Sequence, residues 1–255
     1  MPKKAQVTAF ITVGVVLLII VALIYALRES GTFMPTQEFL GLKLNYVKQK
    51  VDSCVNETTH DFMNKISMRG GILEPATYRL YNGYEVAYLC TDIPETDLCL
   101  NNMLSLANIK TQLENYLKEK VPSCVNIKGM KKKLFFPEIR DAKFDVKADI
   151  LEDKIILSVS YPITLMKKET SLSLEDHDVA VKIPFGRLYD VTYDIVNSEA
   201  TTGTFFPLVY MLAKRGKVEI YRDQPYPDKI YVLTDAETGF KFQFAVEGES
   251  GHEMV

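Results

Sequence analysis

The first thirty residues constrain this chain more than any other segment. The lysines Lys3 and Lys4 precede an apolar run, Phe10 to Leu27, that contains no charged residue. As an α-helix this run would be about 27 Å long, or about 32 Å long if it starts at Val7, which matches the roughly 30 Å hydrocarbon core of a bilayer. The sequence therefore predicts a transmembrane helix over 7–28, with the lipid bilayer as its partner.

A cleavable signal peptide is the other interpretation of this segment. Signal peptides have an apolar region of about 7–15 residues and a small-x-small cleavage site. The run here is longer, and its end, Val21 to Leu27, contains no Ala-x-Ala, so we favour a retained anchor. The positive-inside rule favours a cytoplasmic N-terminus over 1–6, because Lys3, Lys4 and the α-amine precede the run, whereas Arg28 with Glu29 follows it. The domain would then be extracellular. In the opposite topology, which stays open, the cysteines would remain thiols.

The composition is that of a folded and slightly acidic protein. Of the 255 residues 47% are hydrophobic and 25% are charged, and the net charge is −3. Nucleic-acid binding needs a cationic face, so we expect no nucleic-acid partner. One basic cluster, Lys128 with Lys131 to Lys133, could contact anionic lipid headgroups or a cell-wall polymer. A solvated loop is the simpler interpretation of this cluster.

Four cysteines, Cys54, Cys90, Cys99 and Cys124, lie in the domain that is expected outside. An even count in that compartment favours two disulfides. Of the three possible connectivities we favour Cys90 with Cys99 and Cys54 with Cys124. Loop-closure entropy would then contribute about 3 and about 4 kcal/mol. A zinc site normally needs paired C-x₂₋₄-C spacing, which these positions lack, and free thiols remain an alternative.

Hydrophobic periodicity predicts an α+β fold with two amphipathic helices and an antiparallel sheet. We expect a helix over about 36–68 that ends at Gly70-Gly71, a hairpin that turns at Asn82-Gly83, and a second helix over about 102–120 that Pro122 stops. Alternating segments after Phe144 predict strands, including one continuous strand from Ile155 to Leu165. Two further helices are predicted over 185–196 and 207–214.

These elements predict an ordered series of segments after the anchor. A juxtamembrane hinge over 29–35 contains Gly31 and Pro35. It is followed by a helical, cysteine-containing subdomain over 36–127 and a sheet-rich subdomain over 128–246. A flexible tail over 247–255 ends the chain.

The sequence shows no contiguous catalytic motif, and we predict no catalytic residue, no cofactor and no metal site. His60-Asp61 and His177-Asp178 are explained as solvated helix and turn residues. The acidic turn 175–178 together with Asp194 lacks the ordered spacing of a calcium loop. Asn56-Glu57-Thr58 is an N-glycosylation sequon and marks Asn56 as a modification candidate.

The segment Lys3-Lys4-Ala5-Gln6-Val7-Thr8 with the apolar run behind it resembles two groups of archaeal proteins. One group comprises single-span membrane proteins with an extracytoplasmic domain, and this resemblance carries no activity. The other is the archaeal type IV prepilin signal, and that resemblance implies cleavage between Ala5 and Gln6. Two features depart from pilins: Phe10 stands where many have a glutamate, and Gly31 and Pro35 interrupt the helix. The resemblance covers about 27 of the 255 residues.

The leading hypothesis is a non-enzymatic protein that is tethered to the cell membrane of an archaeal envelope. Its extracellular domain would do structural or binding work, with envelope proteins or glycans as partners. One alternative is a pilin-like subunit that is processed at Ala5 and self-associates through Phe10 to Leu27. Another is an extracytoplasmic hydrolase whose site is scattered along the sequence.

Overall fold

The fold is α+β, as the sequence predicted, with six helices and twelve strands in the part of the chain that the structure describes. This computed structural model describes residues 3–30, 36–96, 98–132, 137–214 and 216–248, and in the first helix it describes the side chains of 12–25. The helices are α1 (Lys3–Ser30), α2 (Thr36–Ser67), α3 (Leu106–Val125), α4 (Ile127–Lys131), α5 (Phe185–Thr202) and α6 (Pro207–Ala213).

The strands form three sheets. They are β1 (Tyr78–Tyr81), β2 (Tyr84–Asp92), β3 (Cys99–Asn101), β4 (Glu138–Asp141), β5 (Asp145–Ile150), β6 (Ile155–Ser160), β7 (Ile163–Lys167), β8 (Thr170–Ser173), β9 (His177–Val181), β10 (Val218–Asp223), β11 (Lys229–Asp235) and β12 (Lys241–Val246). The large sheet has the order β1-β2-β12-β11-β10, with β3 also paired to β2, and the small sheets have the orders β4-β7-β8 and β5-β6-β9.

The large sheet is mixed, so the prediction of an antiparallel sheet was wrong for one pair. Strands β2 and β12 run parallel, and the Glu247 amide continues this pairing by donating to the Cys90 carbonyl oxygen. A tight hairpin can join only antiparallel neighbours. These two strands are about 150 residues apart in sequence, so no hairpin fixes their direction.

The chain divides into two compact units, each built from separate segments. The first unit comprises Met1–Lys48, Lys128–Arg140 and Ile163–Leu174, and the second comprises Gln49–Ile127, Asp141–Pro162 and Glu175–Val255. The sequence instead predicted consecutive subdomains over 36–127 and 128–246. The expected strand from Ile155 to Leu165 is two strands in two sheets, β6 and β7, because the chain leaves the β-sheet pattern at Tyr161 and Pro162.

In the first unit, every described side chain of α1, 12–25, is exposed. Among the described residues, no helix is both long enough and apolar enough to cross a membrane. The unit also contains the start of α2, the helix α4 and the sheet β4-β7-β8. The predicted hinge falls largely on 31–35, which lie outside the described residues, as do 249–255 of the predicted tail.

In the second unit, α5 packs on the large sheet through an aromatic core. Phe185 contacts Phe242 edge-on at 5.6 Å between ring centroids, and Tyr231 stacks on Phe244 at 5.3 Å. Such aromatic pairs add to the free energy gained by burial. Helix α3 packs instead against β5, where Lys110 pairs with Asp149.

The prediction that Pro122 ends helix α3 was wrong. The helix continues through Pro122 to Val125, where Asn126 adopts a left-handed conformation and caps it. Proline removes one hydrogen bond from a helix interior. The burial of Val121 and Val125 and the disulfide of Cys124 offset that loss.

Candidate functional site

The candidate site is a cleft of about 260 Å³ in the second unit, called here the charged cleft. It lies where α5 meets the turn between β5 and β6, the end of α6 and the start of β10. Its polar lining residues are Glu152, Arg187, Asp190, Asp194, Tyr210, Lys214 and Lys217.

Gly186 sets the position of α5 in the charged cleft. A Cβ atom on this residue would lie 2.3 Å from the carbonyl oxygen of Leu151 in the β5–β6 turn. The absence of a side chain therefore allows the first turn of α5 to approach that turn. Across the approach, the Arg187 amide donates to the Glu152 carbonyl oxygen at 3.1 Å.

Arg187 crosses the base of the cleft between two carboxylates. Its Nε donates to Glu152 Oε1 at 3.1 Å, and its Nη1 donates to Asp235 Oδ2 at 2.5 Å. Asp235 is fully buried and also accepts hydrogen bonds from the amide and hydroxyl of Thr238. Burial would raise the pKa of Asp235, but the hydrogen bonds from Thr238 and Arg187 outweigh it and lower that pKa. The pair is therefore ionised at neutral pH.

Two carboxylates of α5, Asp190 and Asp194, lie one helical turn apart on the other wall. Partial burial raises the pKa of Asp190, and the negative charges of Asp194 and Glu152 raise it further. Asp194 accepts a hydrogen bond of 2.6 Å from the hydroxyl of Tyr210. Burial and that bond together raise the pKa of Tyr210, so its hydroxyl remains a donor.

Helix α6 borders the charged cleft and exposes an apolar face, defined by Phe206, Leu208, Val209 and Leu212. Each of these side chains is between 66% and 74% exposed. The residues between them point inward, since Tyr210 packs on Phe205 and Met211 Sδ accepts from the amide of Ile220. Because a monomeric soluble protein rarely exposes large contiguous apolar patches, this face is typical of an interaction surface.

The charged cleft and the apolar face of α6 together offer groups that can contact a binding partner. The cleft lining offers carboxylates, cations and one phenol, and the adjoining helix offers apolar contact. Interfaces between proteins combine these features, with an apolar centre and a charged rim. Among the described residues, no group of three or more His, Cys, Asp or Glu side chains is arranged to hold a metal ion.

The expected disulfides are confirmed. Cys54 bonds Cys124 and joins α2 to α3, and Cys90 bonds Cys99 and joins β2 to β3. The structure describes no free cysteine. Asn56, the glycosylation candidate, is exposed on α2. The side chains of Ala5 and Gln6, the candidate processing site, lie outside the described residues.

The acidic turn 175–178 and Asp194 line different cavities and are not brought together. His177 instead joins β9 to α2, with Nε2 at 2.6 Å from Asp52 Oδ1 and Nδ1 at 3.1 Å from the Glu175 carbonyl oxygen. His60 is exposed on α2. Of the basic cluster, Lys128, Lys131 and Lys132 are exposed, and Lys133 lies outside the described residues.

A buried ionic network in the second unit was not predicted from the sequence. Glu199 of α5 is 1% exposed and accepts hydrogen bonds from Lys229 Nζ at 2.6 Å and from the Tyr231 hydroxyl. Burial and the bond to Glu199 raise the pKa of Tyr231. The contact ties α5 to β11. The helix predicted over 185–196 stops three residues before Glu199, whereas α5 continues to Thr202, so the sequence pattern did not place this glutamate on the buried helix face.

The chain matches no protein-family model, and comparisons with curated proteins and with solved structures give no significant match.

Proposed function

We propose that this chain is a membrane-tethered binding protein whose second unit recognises a protein partner outside the cytoplasm. The observation that carries the tether is the exposure of α1. Eleven large apolar side chains between Val13 and Tyr25 are about half exposed or more, on all sides of the helix. Water is a poor solvent for such a surface, whereas bilayer lipid would solvate it. The proposed anchor is the full apolar run, 7–28, which extends on both sides beyond the described side chains of 12–25.

The cysteines support an extracytoplasmic location. All four are paired, and disulfides persist in oxidising compartments but are rare in a reducing cytosol. Lys3 and Lys4 would hold the N-terminus on the cytoplasmic side. The tether then confines the domain to the outer surface, which raises its effective concentration against partners there.

The binding surface is the apolar face of α6 with the charged cleft beside it. Full burial of a Leu, Val or Phe side chain stabilises a complex by roughly 1.5–3 kcal/mol, so covering these four partly exposed residues would contribute about 4–8 kcal/mol. Carboxylates and cations at the rim would select the partner by charge. An envelope protein with an apolar segment flanked by charged residues fits this surface.

Membrane fractionation with protease accessibility tests the tether. We expect the full-length protein to resist extraction by alkaline carbonate, and the domain to be digested by protease added to intact cells. Intact mass measured with and without reduction should give residues 1–255 with two disulfides. A carbonate-soluble protein would refute the anchor, and four free thiols would refute the location. A mass lacking residues 1–5 would favour pilin-like assembly by self-association.

Site-specific photo-crosslinking in intact cells tests the binding surface. A photoreactive phenylalanine analogue at Leu208 or Leu212 should give one discrete protein adduct. The matched controls are the same analogue at Glu219 and at Lys182, which are exposed positions outside the apolar face. Equal adducts at all four positions, or none at 208 and 212, would contradict the proposal.

A further inference from the structure

The two units carry opposite charge, although the whole chain is nearly neutral. The first unit contains 12 Lys and Arg against 4 Asp and Glu, a net charge of +8. The second contains 18 Lys and Arg against 29 Asp and Glu, a net charge of −11. The sequence alone hides the asymmetry, because the basic unit is assembled from three separate segments.

The excess positive charge lies in the unit that contains α1. Its cations come from different elements: Lys128, Lys131 and Lys132 on and just after α4, and Lys167 and Lys168 at the β7–β8 turn. All five side chains are exposed.

Two of the unit's ammonium groups are gathered at one aromatic ring. Lys167 Nζ lies 4.0 Å from the centroid of Phe39, and Lys43 Nζ lies 5.6 Å from it. The ring face attracts both cations. Because like charges repel, concentrating them here favours a binding partner that is itself negative.

We propose that the first unit binds the anionic phospholipid headgroups of the membrane that holds α1. This inference rests on the proposed tether. Charges interact strongly only within about a Debye length, near 8–10 Å at physiological salt. Basic residues that the anchor holds within that range of the surface would each contribute attraction to anionic lipid. The acidic second unit has no such attraction and is left available to its partner.

The test uses full-length protein in nanodiscs, with lysine accessibility as the readout. One set of discs contains phosphatidylcholine alone, and the other contains added phosphatidylglycerol. After brief acetylation, mass spectrometry gives the modification rate at each lysine. In the anionic discs we expect the acetylation rates of Lys128, Lys132 and Lys168 to fall to about one third or lower. Salt of about 500 mM should restore these rates. Lys143, Lys182 and Lys241 of the second unit, all exposed, should not change.

Charge-reversal variants provide the matched pair. The variant Lys128→Glu/Lys132→Glu/Lys168→Glu should lose the lipid-dependent protection of the remaining first-unit lysines, Lys131 and Lys167. The control Lys143→Glu/Lys182→Glu/Lys241→Glu changes the net charge equally and should keep it. Both triple variants alter exposed side chains, and circular dichroism checks that each is folded.

The failure of this inference can be distinguished from failure of the tether. Protein that does not enter nanodiscs of either composition refutes the tether and the lipid contact with it. Protein that enters both but shows equal lysine rates refutes the lipid contact alone. If a soluble polyanion such as polyphosphate protects these lysines from acetylation and anionic lipid does not, the lipid contact is refuted and a cell-wall polymer is favoured instead.

Discussion

Gly186 lets the first turn of α5 lie against the turn between β5 and β6, where a Cβ atom would come within 2.3 Å of the Leu151 carbonyl oxygen. Because backbone lines that space, Gly186→Ala can be accommodated only by moving the helix or the turn. We expect it to lower the free energy of unfolding by about 2–3 kcal/mol. Urea unfolding of the detergent-solubilised protein, followed by circular dichroism, measures this.

The matched control for that variant is Gly41→Ala in α2, where an added Cβ atom meets nothing within 4 Å. Alanine favours a helix over glycine by up to about 1 kcal/mol, so this variant should be neutral or slightly stabilised. An equal loss in both variants would show that the close approach at Gly186 does not limit stability.

The ionisation of Asp235 makes the free energy of unfolding depend on pH. Its pKa is lowered in the folded protein, so the ionised carboxylate stabilises the fold. That contribution is complete above the unfolded pKa of about 4 and is lost as the pH falls through the folded pKa. Asp235→Asn should cost about 2–3 kcal/mol at pH 7, because Arg187 loses a buried charged partner. The difference from the natural protein should shrink below about pH 4.

Unfolding free energies of both proteins between pH 7 and pH 2 test this coupling. Other aspartates with lowered pKa, such as Asp61 and Asp145, affect both proteins alike. The difference between the two proteins therefore isolates Asp235. A difference that is constant with pH would contradict an ionised Asp235 as the source.

At the residue scale, local chemistry was predictable and distant pairing was not. The turn at Asn82-Gly83 follows from two residues that tolerate positive φ, and both adopt it. Arg187 and Asp235 are 48 positions apart, and no local pattern relates them. Their contact depends on how α5 packs on the large sheet, which periodicity alone does not specify.

At the scale of elements, the sequence predicted helices correctly where one helix face is buried. Helix α2 ends at Ser67, and Gly70 and Gly71 follow with positive φ, as predicted. The short elements β3, β4 and α4 were missed, since three to five residues are too few to show a period. The cleft and the apolar face of α6 were missed for a different reason. In the sequence, a seven-residue helix rich in apolar residues is most simply interpreted as part of the hydrophobic core. Only the structure distinguishes its buried side from its exposed side.

The two disulfides close loops of very different length, which predicts different contributions to stability. Cys54 and Cys124 are 70 positions apart, and Cys90 and Cys99 are 9 apart. Loop-closure entropy gives about 4.4 kcal/mol for the long loop and about 2.6 kcal/mol for the short one. We therefore expect Cys54→Ala/Cys124→Ala to lose about 2 kcal/mol more than Cys90→Ala/Cys99→Ala.

Each of these double variants deletes the same atoms, so the comparison removes most of the side-chain effect. Urea unfolding of both variants and of the natural protein gives the two losses. The entropic account predicts the larger loss for the 54–124 pair. A larger loss for the short loop would mean that local packing around β2 and β3, rather than chain entropy, sets the contribution.

At the scale of the whole molecule, the disulfides and α1, the proposed anchor, belong to different units. All four cysteines lie in the second unit, and α1 lies in the first. The units also have separate sheets: the first has β4-β7-β8, and the second has the six-stranded sheet and β5-β6-β9. Compact units with separate sheets can open as separate cooperative units, with different free energies of opening.

Reduction should therefore weaken one unit selectively. After treatment with dithiothreitol, we expect amide hydrogen exchange to accelerate in β2, β3 and α3, where the cross-links are lost. Peptides covering β7 and β8 should exchange at unchanged rates, because no disulfide constrains their unit. Exchange measured by mass spectrometry on the nanodisc-embedded protein gives both rates at once. Equal acceleration in both units would mean that the protein opens as one cooperative body, so the stability of the basic unit would depend on the disulfides of the acidic one.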